Sequence, residues 1–582
     1  MRSETMQKLS LGAKNFTAVV FAAASGVLTA QVDSGAIIAE GAIFKPVVAR
    51  KGMVSTAEAN ATRVGLDILK KGGNAVDAGV AVGMTLAVTL PRAGNIGGGG
   101  FMIVHDRKSG KTVALDFREK APKAASRDMF LDEAGNADPN KSRFSYLASG
   151  VPGTVRGLAL ATEKYGTMKW ADLLAPAIRL AEEGFPVYPD LASSLALTLG
   201  RKRFNEEARK AFTRTNGTLY QSGDLLKQPD LARSLRLIAE DPDAFYTGPI
   251  ARKMAGEMKK EGGMITMDDL ESYQAVSRQP LLGNYRGYTV ASMPPPSSGG
   301  VHLVQMLNIL ERFPLRDWGH NTAKTVHHVT ETMRLAYADR SKHLGDSDFV
   351  EVPLKGLISE AYADHLRKKI NPTTATPSTS IGPGRPQDYE SDETTHFSII
   401  DGEGNAVSCT YTLNFSYGSG IMIPGTGILM NNEMDDFSAK PGVPNAFGLI
   451  GGEANAVAPE KRMLSSMSPT IVLKDGEPFL VTGSPGGSRI ITTTLQVIMN
   501  VIDHDMNPAE ADAAVRFHHQ WYPDALRVER GFPGDTKDLL EAMGHKVRVE
   551  GSIGASQTIL RVGGVLYGSS DPRRSSGAVL GD

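Results

Sequence analysis

Two threonines, Thr394 and Thr412, have the spacing of a site for nucleophilic chemistry. The stretches 394–400 and 406–414 are rich in β-forming residues, and the five residues between them are turn formers. This pattern predicts a hairpin with its turn centred on Glu403. Directly opposed residues share a face, with Cβ atoms about 4.5–5.5 Å apart, so this register puts the Thr412 hydroxyl beside Thr394. A slip of one residue would separate the two.

A threonine hydroxyl is a poor nucleophile unless a base accepts its proton. If the chain is cut before Thr394, the new α-amino group lies on the same residue and titrates near pH 7.7–8.0. That amine can act as the base, as in enzymes with an N-terminal threonine nucleophile. The alternative is that Thr394 and Thr395 merely begin a β-strand. On this dipeptide alone, the alternative is the better interpretation.

The elements around this hairpin are indicated by periodicity. Ser55 and Glu58 have capping-box spacing and predict a helix that ends at Gly72-Gly73, and a second helix follows over 76–90. Residues 101–105 alternate as in a strand, after a run of four glycines at 97–100. Residues 150–350 are mostly helical in pattern, with clear examples at 170–183 and 325–340. After Thr394 the pattern changes to short strands with Gly-rich turns.

A linker separates these two halves. Residues 371–393 are rich in Pro, Ser, Thr and Gly and have no apolar period, which predicts an exposed loop. The candidate nucleophile follows directly after it.

Composition excludes several classes of protein. The chain has 582 residues, of which 41 % are hydrophobic and 22 % are charged, which is typical of a globular protein. Lys and Arg total 63 against 64 Asp and Glu, so charge gives no reason to expect nucleic-acid binding. The single cysteine, Cys409, excludes an internal disulfide and a multi-cysteine zinc site.

The first thirty residues have a different character. Arg2, Lys8 and Lys14 precede an apolar run over 16–30 that ends in small residues. This predicts a secretory signal peptide at 1–30, and therefore a periplasmic or secreted protein without a stable membrane span. The alternative is an uncleaved amphipathic anchor.

Seven motifs in fixed order carry a resemblance that extends from about Ser55 to the C-terminus. They are KGGNAVDA (71–78), GGGGF (97–101), LDFRE (115–119), TTH (394–396), NNEMDDF (431–437), LSSMSP (464–469) and GSPGGS (483–488). Taken together they resemble the γ-glutamyltransferases, a family of N-terminal-nucleophile hydrolases.

The resemblance implies the fold and the processing. The family fold is a four-layer αββα sandwich, of class α/β (α+β), made as one precursor that cuts itself before the nucleophilic threonine. By resemblance the cut falls between Glu393 and Thr394, giving a large subunit 31–393 and a small catalytic subunit 394–582. No cofactor and no metal are implied.

The resemblance also implies a role for each site residue. Thr394 is the nucleophile, Thr412 orients its hydroxyl, and the backbone N–H groups of Gly486 and Gly487 form the oxyanion hole. The donor is a γ-glutamyl compound such as glutathione or glutamine, and the acceptor is an amino acid, a peptide or water. The remaining assignments are Arg118, Ser465 and Ser466 for the α-carboxylate of the donor, and Asn414, Glu433 and Asp436 for its α-ammonium.

Three positions depart from the enterobacterial members of the family. Phe415 and Phe447 stand where those members have threonine and tyrosine, and Glu393 replaces glutamine before the cut. Together with Trp521, the two phenylalanines suggest an aromatic acceptor side. The hydroxyl that could latch a loop over the site is absent at Phe447.

Four alternatives compete with this interpretation. A cephalosporin or glutaryl acylase of the same fold would not need to hold an α-ammonium, and an inactive secreted homologue would lack the nucleophile or an oxyanion donor. The glycine-rich stretches lack the lysine and hydroxyl of a phosphate-binding loop. The clusters His327-His328 with Glu331, and His518-His519, are better explained by packing than by metal binding.

Overall fold

Two large sheets form the centre of the molecule. The computed structural model describes residues 43–384, 395–443, 445–446 and 448–582. The first sheet has seven strands, in spatial order Val47–Ala49, Val565–Ser570, Gln557–Val562, Glu477–Thr482, Thr470–Lys474, Tyr288–Ser292 and Leu281–Tyr285. The second sheet also has seven, in the order Ala578–Gly581, Met53–Thr56, Thr395–Ile400, Ala406–Thr412, Gly99–Asp106, Lys111–Asp116 and Val276–Arg278.

Neighbouring strands within both large sheets are antiparallel. The described residues also form three smaller sheets. They are Met422–Ile423 with Ile428–Leu429, Phe517–His518 with Leu526–Glu529 and Val547–Glu550, and Phe185–Pro186 with Leu225–Leu226.

Helices cover the outer faces of the two large sheets. Ala59–Lys70 and Ala75–Thr89 pack on the second sheet, while Gly299–Leu310 and Arg489–Ile502 pack on the first. Ala323–His343 lies against Gly299–Leu310. The other α-helices are Pro139–Phe144, Thr154–Tyr165, Trp170–Glu183, Pro189–Gly200, Glu206–Ala211, Pro229–Glu240, Pro249–Glu261, Met267–Ser272, Leu315–Trp318, Leu354–Leu357, Glu360–Arg367, Pro508–Ala513 and Gly534–Ala542. Short 3₁₀ helices occur at Tyr146–Ala148, Pro242–Phe245, Ser378–Ser380, Glu433–Asp436 and Glu453–Asn455.

The apolar clusters define four layers. One cluster lies between the second sheet and its helices, and includes Val54, Val80 and Phe397. A second lies between the two sheets and includes Met53, Ile103, Ile471 and Ile559. A third lies between the first sheet and its helices, and includes Val290, Leu303, Val472 and Ile491. The predicted αββα sandwich is therefore confirmed, because each sheet buries one face against helices and the other against its partner sheet.

The predicted start of the first helix is wrong. Ser55 lies in the strand Met53–Thr56, opposite Ser398, and its hydroxyl donates to Ser569 O at 2.6 Å. The helix begins at Ala59, and the Glu58 side chain caps it by accepting from Asn60 N and Ala61 N. Pairing between strands overrode a capping-box pattern that rests on local spacing alone. The other helices named from periodicity are present, with Trp170–Glu183 matching its predicted bounds.

The linker before the candidate nucleophile is described up to residue 384. Most of residues 371–384 are exposed, but Ser378 is buried. The predicted signal peptide at 1–30 lies outside the described residues, as do Glu393, Thr394 and Phe447. No helix in the described part of the chain has the length and apolar character needed to cross a bilayer.

Candidate active site

The hairpin has the predicted register. Thr395 lies opposite Tyr411 and Ile400 opposite Ala406, as a turn centred on Glu403 requires. Thr412 ends the second strand, and its Oγ1 accepts a 2.7 Å hydrogen bond from the Asn414 N–H. The pairing of Thr412 with Thr394 itself stays a prediction, because Thr394 lies outside the described residues.

The four glycines at 97–100 are required by close packing beside this hairpin. A Cβ on Gly98 would lie 2.0 Å from Thr412 O, and one on Gly99 would lie 2.7 Å from Glu119 Oε2. Gly99 also pairs with Thr412 across the strands. These contacts explain the glycine run without a bound phosphate, and they place Glu119 next to the end of the hairpin.

The second glycine-rich segment connects the strand Glu477–Thr482 to the helix Arg489–Ile502. Gly486 has φ 136° and Gly487 has φ 67°, which are values that residues with a Cβ rarely adopt. Their carbonyls accept from Arg489 N at 3.2 Å and Ile490 N at 2.9 Å. Among the described residues, neither glycine N–H has a hydrogen-bond acceptor. Both amides are therefore available to an oxyanion.

A cavity of about 40 Å³ brings the hairpin and this glycine loop together. Its lining includes Thr395, Thr412, Asn414 and Phe415 from the hairpin and Pro485 from the loop. The tertiary structure thus joins residues from two of the motifs at one place.

A buried ring of charge lies next to the hairpin. Arg118 follows the strand Lys111–Asp116, and its guanidinium donates to Glu433 and Asp436. It also donates to Met463 O at 3.2 Å and lies 3.5 Å from Glu119. All four side chains of this ring are fully buried. Three carboxyl groups around one guanidinium leave an excess of negative charge.

The pKa values of the ring follow from burial and from these charges. Burial alone would lower the pKa of Arg118, but the charges of Glu433, Asp436 and Glu119 raise it. Burial raises the pKa of Glu119 to about 8, against the opposing effect of Arg118. It also raises the pKa of Glu433 well above the ordinary value. At neutral pH the ring therefore retains at least one proton, which reduces its negative charge.

Polar atoms in and beside the ring lack partners. Both carboxyl oxygens of Glu119, Oε1 of Glu433 and Oδ1 of Asn414 have no hydrogen-bond partner in the described part of the chain. The Nδ2 of Asn414 donates to Asn432 O at 3.0 Å, next to Glu433 in the chain. Buried acceptors without partners cost about 1–3 kcal/mol each, so a ligand that donates to them is favoured.

The serine pair follows a backbone segment that contacts Arg118. Ser465 and Ser466 follow Leu464, whose carbonyl accepts from Arg118 at 3.4 Å. Arg340, from the helix Ala323–His343, donates to the Ser466 hydroxyl. The Ser465 hydroxyl accepts from Met467 N at 3.1 Å. The predicted carboxylate set of Arg118, Ser465 and Ser466 is therefore close together.

Two buried residues of the site were missed by sequence reasoning. Glu119 was only part of the LDFRE motif, and Arg340 was only part of a helix. No local pattern marks either one, because both acquire their role by burial against residues distant in sequence. Full burial of a charged side chain is unusual and marks both residues in the structure, but burial cannot be read from the sequence.

The aromatic residues of the predicted acceptor side lie in two environments. Phe415 packs against Phe144 with ring centroids 6.1 Å apart, and its N–H donates to Asn432 Oδ1 at 3.1 Å. The indole N–H of Trp521 donates to Ser378 O at 3.1 Å and Ile381 O at 3.0 Å, in the linker. Among the described residues, no contact joins Trp521 to Phe415.

The histidine clusters are parts of packed structure. His327 Nδ1 lies 2.8 Å from His545 Nε2, and its Nε2 lies 2.7 Å from Asn371 O. His518 Nδ1 lies 2.8 Å from the Thr492 hydroxyl. The described ranges contain no group of His, Cys, Asp and Glu side chains that could hold a metal ion. Cys409 is buried, and burial raises the pKa of its thiol.

Comparison with known proteins gives the family. The model of the family described as gamma-glutamyltranspeptidase matches residues 61–581. The chain belongs to the gamma-glutamyltranspeptidase family. A glutathione hydrolase proenzyme of Escherichia coli (strain K12) is 56 % identical over 534 residues, which cover 91 % of this chain and 92 % of that protein.

Solved structures of the family and of acylases have the same fold. A cephalosporin acylase from Bacillus halodurans matches with a TM-score of 0.83 and 31 % identity, over 94 % of this chain and 98 % of that one. A gamma-glutamyltranspeptidase from Helicobacter pylori matches with a TM-score of 0.55 and 47 % identity, over 56 % of this chain and 95 % of that one. Fold alone therefore does not separate transferase from acylase.

Proposed function

We propose that this member of the gamma-glutamyltranspeptidase family is a γ-glutamyltransferase and glutathione hydrolase. It cuts itself before Thr394 and then moves the γ-glutamyl group of glutathione, glutamine or a related donor to an amino acid, a peptide or water. The observation that carries the proposal is the buried ring of Arg118, Glu433 and Asp436 beside the Thr412 hairpin. Its charges match those of a zwitterionic glutamyl group.

The ring explains how a glutamyl group would bind. Arg118 is ion-paired with Glu433 and Asp436 in the structure. A donor would exchange these contacts, since its α-carboxylate can accept from Arg118 and the serine pair while its α-ammonium donates to Asn414, Glu433 and Asp436. Substrate binding then replaces one set of buried ion pairs with another. That exchange avoids leaving a buried charge unpaired, which is the costly outcome.

Turnover follows from an N-terminal threonine. The α-amine of Thr394 takes the proton of its own hydroxyl, the hydroxyl oxygen attacks the γ-carbonyl, and the N–H groups of Gly486 and Gly487 stabilise the oxyanion. The departing amine takes up that proton, leaving a γ-glutamyl ester on Thr394. Water or an acceptor amine then attacks the ester carbonyl and gives a proton to the α-amine of Thr394. The α-amine returns that proton to the departing Thr394 oxygen, which restores the hydroxyl.

The acylase alternative is less well supported. An acylase acting on a glutaryl group has no ammonium to satisfy, whereas here Glu433 and Asp436 both contact Arg118. Asn414 donates to the carbonyl of Asn432, the residue before Glu433. The family assignment and the 56 % identity to a glutathione hydrolase proenzyme favour the transferase as well.

The location and assembly form part of the proposal. Residues 1–30 would act as a signal peptide and direct the precursor to the periplasm or outside the cell. The large subunit 31–393 and the small subunit 394–582 would remain associated after the cut, because the strand Thr395–Ile400 lies between Met53–Thr56 and Ala406–Thr412 in the same sheet. No cofactor is proposed.

The decisive experiment tests the cut and the chemistry together. The purified protein should give two fragments on a denaturing gel, with the smaller one beginning at Thr394, and should release the aniline from a γ-glutamyl anilide. Thr394→Ala should leave one uncut chain without turnover. If the wild-type protein stays uncut and inactive, the proposal is wrong, and turnover of a glutaryl substrate in place of the γ-glutamyl one would favour the acylase.

The acceptor side offers a second test. Phe415 lines the same cavity as Thr412 and Asn414, and its ring packs on Phe144. Phe415→Thr should alter acceptor preference or the ratio of hydrolysis to transfer, because it replaces an apolar wall by a hydroxyl. Kinetics that match the wild type across a panel of amino-acid and dipeptide acceptors would contradict this role.

A further inference from the structure

The cavity beside Thr412 and Asn414 is lined by two arginines. Arg92 and Arg574 both line it, while no carboxylate does so among the described residues. Its volume of about 40 Å³ exceeds the 10–15 Å³ needed for one water, and therefore admits a small charged group. A cavity with positive charge at the reacting hairpin selects for an anionic group on a substrate.

Arg92 is held in place at the edge of this cavity. Its Nη2 donates to Asp190 at 3.1 Å, and only 14 % of its side chain is exposed. Asp190 also accepts from the Ser576 hydroxyl at 2.8 Å, so this carboxylate is itself fixed. The backbone carbonyl of Arg92 accepts from Tyr417 N at 3.0 Å, which ties Arg92 to the chain that follows Phe415.

The guanidinium of Arg92 has spare donors. An arginine carries five N–H groups, and only the bond to Asp190 uses them within the described part of the chain. Asp190 does not line the cavity. Arg92 can therefore keep its ion pair and still offer N–H groups to a second carboxylate.

The donor's own α-carboxylate does not need this site. Its partner Arg118 lies in the buried ring with Glu433 and Asp436, and none of these three residues lines the cavity. What remains is a carboxylate on the amine side of the reacting bond, in the departing amine of a donor such as glutathione or in the attacking acceptor. Amino-acid and peptide acceptors carry a carboxylate near the attacking amine, whereas water does not.

We propose that Arg92 is a specificity-determining residue that binds the carboxylate of the acceptor amino acid or peptide. This inference rests on the proposed transferase function. Through Arg92 the enzyme would favour transfer over hydrolysis, because an acceptor with a carboxylate gains a charge-assisted hydrogen bond that water cannot make. Arg574 adds positive charge to the same cavity.

The test compares two acceptors that differ in one charge. With a γ-glutamyl anilide as donor, glycylglycine and glycylglycinamide are compared at equal concentrations of unprotonated amine. The wild-type enzyme should prefer glycylglycine by about tenfold in kcat/KM for the acceptor, the size expected for one charge-assisted hydrogen bond. In Arg92→Gln the preference should fall to about twofold or less.

Two variants separate recognition from a structural role. Asp190→Asn removes the ion pair but keeps the charge of Arg92, so the preference for glycylglycine should persist. Arg107→Gln removes an exposed arginine that pairs with Glu477 and does not line the cavity, and should also retain the preference. All variants are first checked for complete cutting on a denaturing gel.

The outcomes are distinct. An unchanged preference in Arg92→Gln overturns the inference, and so does an equal loss in Arg92→Gln and Asp190→Asn, which would indicate a structural ion pair only. A wild-type enzyme that turns over the donor but does not distinguish the two acceptors also overturns it. Failure to turn over any γ-glutamyl donor would instead contradict the proposed function itself.

Discussion

The hydroxyl of Thr412 has a defined hydrogen-bond partner in this site. The Thr412 hydroxyl accepts from Asn414 N, and Asn414 in turn contacts the segment that carries Glu433. Thr412 is thus linked through Asn414 to the segment that carries the residues predicted to hold the ammonium. Changes at this position should affect the reaction more than the fold.

Thr412→Val should slow turnover of a γ-glutamyl anilide by about 10- to 100-fold, since it removes an oriented hydroxyl and leaves the buried Asn414 N–H without its acceptor, at about 1–3 kcal/mol. Thr412→Ser keeps the hydroxyl and should retain most of the activity. Steady-state kinetics on fully cut protein measures both. Equal activity of the valine and serine variants would show that the hydroxyl has no role in turnover.

Between strand Glu477–Thr482 and helix Arg489–Ile502, a short glycine loop sets the direction of two backbone amides. At φ 136° Gly486 occupies a conformation that is essentially restricted to glycine. The geometry of the loop, and with it the oxyanion hole, therefore depends on the absence of a side chain.

Gly486→Ala should lower kcat by about 100-fold or more, as for loss of an oxyanion donor worth about 2.7–4 kcal/mol. Gly563→Ala is the matched control, because Gly563 also has positive φ, 57°, but lies in a remote turn with open space around its Cα. If both variants lose activity equally, backbone strain rather than oxyanion geometry is the cause. Initial rates at saturating donor distinguish the two.

The linker has a buried contact point at Ser378 before it reaches the candidate cut. Ser378 is buried, its Oγ lies 2.6 Å from Trp521 O and 2.8 Å from Asp524 Oδ1, and Arg334 donates to it at 2.8 Å. Burial alone would raise the pKa of Asp524, but hydrogen bonds from His519 and Ser378 and the charge of Arg334 hold it low. The linker is therefore exposed along most of its length yet anchored at this point.

Ser378→Ala should release this anchor. The linker should then be cleaved about tenfold faster by a nonspecific protease, as expected for the loss of about 1–1.5 kcal/mol of hydrogen bonding. Emission of Trp521 should shift as well, since its indole N–H donates to Ser378 O and Ile381 O. Ser380→Ala is the control, because the exposed hydroxyl of Ser380 bonds only to Pro377 O among the described residues. Unchanged proteolysis in Ser378→Ala would contradict the anchor.

Across the whole molecule, buried titratable groups join the two predicted subunits. His327 of the large subunit contacts His545 of the small one at 2.8 Å. Burial, together with the neighbouring His327, lowers the pKa of His545 to about 3. An unfolded histidine titrates near 6.5, so the unfolded chain binds a proton at higher pH than the native one does.

Because His545 is buried in its neutral form, its contribution to the free energy of unfolding decreases as the pH falls. The contribution of neutral His545 is fully present above pH 6.5 and is lost as pH falls toward 3, at about 1.4 kcal/mol per pH unit. Carboxyls with raised pKa, such as Glu119 and Asp339, act in the opposite sense, so the useful quantity is the difference from His545→Gln. Urea unfolding at pH 7.5, 6 and 5 should show the wild type losing stability relative to this variant. Parallel curves would contradict the prediction.

Local patterns were enough for the hairpin and for many of the elements. Register in a hairpin follows from a turn and a period of two, so pairing of Thr395 with Tyr411 could be predicted from short-range spacing. The same reasoning failed at Ser55, because this residue pairs with a strand that is distant in the sequence. Local spacing is reliable only where no distant strand competes for the same residues.

The sequence by itself determined the family, the hairpin that would carry the nucleophile, and the residue types that match a glutamyl group. Only the tertiary structure decided how these charges are arranged. Arg118 meets Glu433 and Asp436 although more than 300 positions separate them, and Arg340 reaches Ser466 from another layer. The physical reason is that burial and long-range packing set the pKa of a charged side chain and the partners that it meets. Neither can be read from the neighbours of a residue in the chain.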